Sequence, residues 1–221
     1  MKHLFSLLLL LAAAMSGYAR QWTPDILGAP FRQTTVQLPA DYAGNPVCTI
    51  VKALSDSCTG RAVLYVHGYN DYFFQKQMAS QFLSHGYSFF AVDLRRYGRS
   101  LRDGDKPYDI RDLNAYSAEI DSALSIIRAE GFNEVVMIGH STGGLITANY
   151  LSHHHPVEVK ALILNSPFLD WNLGSTEKIV PAVSALGRLF PSLSIPQGKS
   201  TAYAESLLKS AHGEWDFDTT K

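Results

Sequence analysis

The chain is short of everything that marks a charged-ligand or metal protein. Nineteen basic residues against twenty acidic ones leave a formal net charge of −1 and a pI of about 6.7. There is thus no electrostatic footprint for nucleic acid or for an anionic membrane surface. Only two of 221 residues are cysteine, Cys48 and Cys58, too few for a disulfide scaffold. No metal-ligand spacing, phosphate-cradling glycine loop or dinucleotide fingerprint occurs, so no cofactor and no metal are expected. The one long apolar run, Leu4 to Ala14, is too short to span a bilayer comfortably.

That run has a different meaning. Lys2 and His3 precede it, and Gly17 and Ala19 place small residues at the −3 and −1 positions of a cleavage site. Residues 1–19 therefore read as a secretory signal peptide cut between Ala19 and Arg20. The expected product is exported, periplasmic or secreted, with no stable membrane span after cleavage. In an oxidising compartment a Cys48–Cys58 disulfide is permitted, and the fold of the loop Leu54 to Thr59 decides whether it forms. Neither cysteine reads as catalytic.

What remains, at 46% hydrophobic and 18% charged, is one ordinary globular domain's worth of chain. Thr34 to Leu38 and Val47 to Ala53 flank the turn cluster Asp41 to Pro46 and predict a hairpin. Apolar runs at Arg61 to Val66, Tyr87 to Val92, Val135 to Ile138 and Val159 to Leu164 predict strands. Helices are expected over Tyr72 to Ser84, stopped by His85-Gly86, and over Asp109 to Glu130. In the second, Leu113, Tyr116, Ile120, Leu124 and Ile127 recur on one face. Strand–helix alternation from residue 61 onward predicts a mostly parallel, doubly wound α/β sheet over residues 20–169. From Asp170 the pattern turns helical, over 175–187 and 201–211, so residues 170–221 read as a helical cap segment.

The most informative stretch is Gly139-His140-Ser141-Thr142-Gly143-Gly144, set between a buried strand and the start of a helix. A G-x-S-x-G sequence in that context is a nucleophile elbow, in which small residues let the backbone take a strained turn that lifts the serine hydroxyl clear of the sheet.

Three more landmarks accompany it in order: His67-Gly68, Asp93-Leu94-Arg95-Arg96-Tyr97-Gly98-Arg99-Ser100, and Asn165-Ser166-Pro167. With these the chain resembles the α/β-hydrolase superfamily, and within it the lysophospholipase or monoacylglycerol-lipase-like (serine aminopeptidase-like) group. One departure stands out: Arg96 occupies a position where many members carry glycine. The resemblance implies Ser141 as nucleophile and the backbone N–H groups of Tyr69 and Thr142 as the oxyanion hole. It implies a serine hydrolase acting on lysophospholipid, monoacylglycerol or small acyl esters.

The resemblance also exposes a gap. In this architecture the acid and base follow the serine, after the seventh and eighth strands, yet only eighty residues follow Ser141. The last strands and helices of the fold are expected to be missing. Asp170, after the last expected strand, is a candidate acid, and His212 a candidate substitute base. His153, His154 and His155 lie at the far end of the elbow helix, about 18 Å from Ser141 at 1.5 Å per residue. They suit a helix C-terminus better than catalysis. His67 and His140 are expected to be structural, and Asp93 to fix the Arg95/Arg99 loop. The competing expectation is a catalytically incompetent member that binds acyl ligands at most.

Overall fold

The structure is a computed structural model that describes residues 20–57, 59–170 and 178–190. The signal segment, Cys58 and His212, together with the helix expected over 201–211, lie outside the described residues. The chain divides into two compact units, residues 1–171 and 172–221.

The first unit is built on a seven-stranded sheet: β1 (Thr23–Pro24), β2 (Arg32–Gln37), β3 (Val47–Ala53), β4 (Arg61–Val66), β5 (Ser88–Asp93), β6 (Glu134–His140) and β7 (Val159–Asn165). Their spatial order is β1-β2-β3-β5-β4-β6-β7. The first three strands and the β3–β5 pair are antiparallel, and β5, β4, β6 and β7 are parallel. Chain reversal around β4 leaves β4 and β6 side by side in the middle of the parallel part, β5-β4-β6-β7, and their C-terminal ends carry His67-Gly68 and the elbow. Crevices at the carboxyl ends of parallel strands are where such sheets bind ligands.

Among the described residues, three helices cover the sheet: α1 (Lys76–Ser84), α2 (Ser117–Ala129) and α3 (Thr142–His153). Alternation along the strands sends side chains to opposite faces. Leu64, Val66, Phe90, Val92 and Met137 pack with Ile120, Leu124, Ile127, Ile146 and Tyr150 of α2 and α3. Val63, Tyr65, Phe89 and Ile138 instead pack with Phe73 and Ala79, the latter on α1. Strands covered on both faces need apolar residues at every position, which is why β3 through β5 are buried along almost their whole length. Cys48 is among these residues, and burial pushes its thiol up to about 12, far from a reactive thiolate.

Two helix starts differ from the sequence reading. Helix α1 begins at Lys76 rather than Tyr72, because Asp93 Oδ1 accepts the Phe73 N–H (3.0 Å) and draws that residue into the core. The second helix begins at Ser117, after a 3-10 turn over Leu113–Tyr116 capped by the Asp112 carboxylate, and residues 101–112 form a loop. In the second unit, α4 (Val180–Leu189) has Pro181 in its first turn, where a missing N–H costs nothing.

Candidate active site

Ser141 stands between the last residue of β6 and the first of α3 with φ 52° and ψ −122°. A non-glycine residue held there costs about 1–3 kcal/mol and persists only where its surroundings over-determine it. The surroundings do so from both sides. The Ser141 N–H donates to the Asn165 carbonyl at the end of β7 (3.1 Å), and the Ser141 carbonyl accepts from Phe168 (2.9 Å) and Gly144 (2.9 Å). A β-carbon on Gly143 would overlap the carbonyl oxygens of Val66 and His67. One on Gly139 would lie 2.5 Å from Thr147 Oγ1. The elbow glycines are therefore required by close approach of the helix start to the ends of β4 and β6.

The same closeness brings the second landmark to the serine. Gly68 is in van der Waals reach of Ser141, so the segment His67–Asn70 passes directly beside that serine. Its first residue is fixed firmly: His67 is fully buried, its Nδ1 donates to the Gly68 carbonyl (2.7 Å), and its Nε2 accepts the Leu94 N–H (3.0 Å). Both nitrogens are occupied by the neutral ring, and burial depresses its pKa below 6.5. Asn70 follows in a left-handed conformation (φ 54°), which turns the chain away after Tyr69.

Among the described residues, no hydrogen-bond acceptor receives the N–H of Tyr69 or of Thr142. Thr142 also opens a 12-residue helix, whose N-terminal dipole favours an anion at the same place. Two unclaimed donors on the segments that meet at a strained, half-buried serine are parts that acyl transfer needs, because negative charge develops on the attacked carbonyl oxygen.

The family model described as serine aminopeptidase, S33 (Hydrolase_4) matches residues 58–210. The chain belongs to that family. It is an α/β-hydrolase of the lysophospholipase-like group, with a mostly parallel sheet and flanking helices. It is 30% identical over 109 residues to the AB hydrolase superfamily protein YisY of Bacillus subtilis (strain 168), a match covering 48% of this chain and 38% of YisY. It is 26% identical over 140 residues to the phospholipase YtpA of the same organism, covering 62% of this chain and 52% of YtpA. Among solved structures, a thermostable carboxyl esterase from Bacillus coagulans superposes with a TM-score of 0.62 at 18% identity, over 80% of this chain and 55% of that one. A soluble variant of the monoglyceride lipase of Saccharomyces cerevisiae gives 0.55 at 23%, over 79% and 61%. The chain thus spans about half the length of these relatives.

The remaining expected residues are distributed as follows. Asp170 is exposed, five residues beyond β7, in the segment that Phe168 ties to the elbow. His153 to His155 close α3 at its far end, with His154 stacked on Tyr150. His140 has Nδ1 3.2 Å from the Asn165 carbonyl. Among the described residues, no imidazole is hydrogen-bonded to Ser141, and no group of three His, Cys, Asp or Glu side chains could hold a metal.

Asp93 holds Arg99 as expected, through its backbone N–H (3.0 Å) and guanidinium (2.8 Å). It does not hold Arg95, which instead forks onto Glu119 of α2 (2.7 and 2.8 Å) and reaches Asp41 (3.2 Å). A carboxylate 24 residues distant pairs with Arg95 because α2 folds back across the loop. Sequence reasoning also missed what Arg96 does. The signal was present, an arginine at a glycine position of the loop motif, but its partner Asp41 lies 55 residues away.

Proposed function

We propose that this α/β-hydrolase acts as an exported serine hydrolase on carboxylic esters of lysophospholipid, monoacylglycerol or small acyl type. In this reading Ser141 Oγ attacks the ester carbonyl carbon, and the N–H groups of Tyr69 and Thr142 receive the resulting oxyanion. The hydroxyl proton passes to a base and then to the departing alcohol. Water later attacks the acyl-serine and releases the acid. Each oxyanion donor is worth about 3 kcal/mol of transition-state stabilisation. Asp170 and His212 are the acid and base candidates within the chain. The observation that carries this reading is the pair of unclaimed N–H groups beside a serine forced into an elbow. A phospholipase and a monoglyceride lipase among the similar proteins support the ester class.

A second reading has one observation in its favour. No described imidazole reaches Ser141, which suits a protein that binds acyl groups without cleaving them.

Labelling the purified chain with a fluorophosphonate, with peptide mapping and Ser141→Ala as control, separates the two. Modification confined to Ser141, together with turnover of short-chain p-nitrophenyl esters that the variant lacks, supports the hydrolase. A folded protein that takes no label and turns over nothing supports the binder.

A further inference from the structure

We propose that Tyr108 is a positioning residue for the oxyanion-hole segment, clamped against Tyr69 by a loop that the Asp41–Arg96 ion pair holds in a strained form; the proposal rests on the serine-hydrolase reading of this site.

Strain is the starting point. Besides Asn70, Ser141 and Ser166, two non-glycine residues have left-handed backbone: Arg96 (φ 63°) and Tyr108 (φ 64°). They are linked, because the Tyr108 N–H donates to the Arg96 carbonyl (3.2 Å). Such conformations are costly for residues with a β-carbon and gather where geometry is functional. Glycine would adopt the Arg96 conformation freely, so the arginine side chain must supply what offsets the strain.

It does so through one carboxylate. Arg96 Nη2 donates to Asp41 Oδ1 (2.7 Å) and Nη1 to Asp41 Oδ2 (2.9 Å), a bidentate fork, while Nη1 also reaches the Asp109 carbonyl (3.1 Å). The arginine is 2% exposed. The loop is fastened a second time next door, where the Tyr42 hydroxyl donates to Asp109 (2.9 Å) and Arg111 lies 3.9 Å over the Tyr42 ring. Residues 101–112 have no helix or strand to fix them, so these contacts set where Tyr108 goes.

Where it goes is the site. The Tyr108 ring lies 4.9 Å from Tyr97 and edge-on at 5.3 Å to Tyr69. Tyr97 in turn packs 4.8 Å from the His67 ring. The rings His67, Tyr97, Tyr108 and Tyr69 form a continuous bracket around the segment that presents the Tyr69 N–H. The Tyr69 side chain is otherwise 63% exposed, and Tyr108 is the described ring that meets it. Removing that ring leaves the donor's residue unsupported between a buried His67 and a left-handed Asn70.

The test compares wild type with Tyr108→Ala, Tyr108→Phe and Tyr108→Leu. The 15N order parameter of the Tyr69 amide, the rate of fluorophosphonate addition at Ser141, and thermal stability are measured for each. In wild type the amide is expected at the rigid-backbone value of about 0.85, and in Tyr108→Ala below about 0.6. The labelling rate is expected to fall about 10-fold in Tyr108→Ala. Tyr108→Phe restores both, since it keeps the ring. Should Tyr108→Ala fail to fold, Tyr108→Leu, which keeps apolar bulk without an aromatic edge, decides instead. An order parameter unchanged in the folded ring-less variant overturns the proposal. A wild-type chain that takes no label counts against the hydrolase reading, and the amide measurement then decides this proposal alone.

Discussion

Gly68 and Ser141 touch: a methyl group on the Gly68 α-carbon would lie 2.9 Å from the serine Cβ and 3.4 Å from its Oγ. The contact couples two segments 73 residues apart, the one that leads into Tyr69 and the one that carries Ser141. Gly68→Ala keeps an allowed backbone but must push the segment away from the elbow, since the His140 carbonyl is also 3.3 Å from the new carbon. Displacements near 1 Å can cost on the order of 100-fold in rate. The expected outcome is fluorophosphonate labelling at least about 10-fold slower than wild type, with the thermal midpoint little changed.

Gly143 is held still more tightly, and its substitution should show in stability as well as in rate. A β-carbon there meets two main-chain carbonyls, Val66 and His67, neither of which can rotate away. Overpacking of this kind costs about 1–3 kcal/mol. Gly143→Ala should therefore lower the urea midpoint of unfolding. Gly187→Ala, at a position where no described atom comes within 4 Å of the added carbon, should not.

These contacts show what the sequence could reveal. Strands β3 and β4 begin and end where their apolar runs do, because a strand covered on both faces is apolar throughout. The elbow was equally legible, since close approach demands small residues at fixed offsets from the serine. The loops were not. Strand β1 is two residues long and has no periodicity to read. The 101–112 loop was mistaken at its end for the start of a helix, because its structure comes from Arg96 and Tyr42 reaching across to Asp41 and Asp109. Pairings of that range leave no local pattern, so Arg96 was visible as an anomaly and not as a link.

The Asp41–Arg96 pair gives the fold an acid limit. Hydrogen bonds from Arg96 hold the Asp41 carboxyl at about 2, against an ordinary 3.8. The folded form thus releases the proton more readily than the unfolded chain, and the stabilisation is complete above pH 3.8 and lost as pH falls toward 2. Asp41→Asn should unfold at lower urea than wild type at pH 7. Its stability should also change less than that of wild type between pH 4 and pH 2, measured by urea titration at each pH. Equal acid sensitivity in the two proteins would show that the pair does not set this limit.

His67 acts over a higher window. Burial depresses its pKa below 6.5, and its Nε2 is engaged as an acceptor by the Leu94 N–H, so protonation would break that bond inside the core. The unfolded chain binds a proton here that the folded chain refuses. Stability from this group is therefore complete above pH 6.5 and declines as pH drops below it. Urea unfolding at pH 7.5 and pH 5.5 should show lower stability at the lower pH in wild type. In His67→Asn, whose side chain does not titrate, the protein should be weaker at both pH values, with that part of the difference gone. A wild-type stability that stays level across the window would mean that His67 accepts its proton in the folded state.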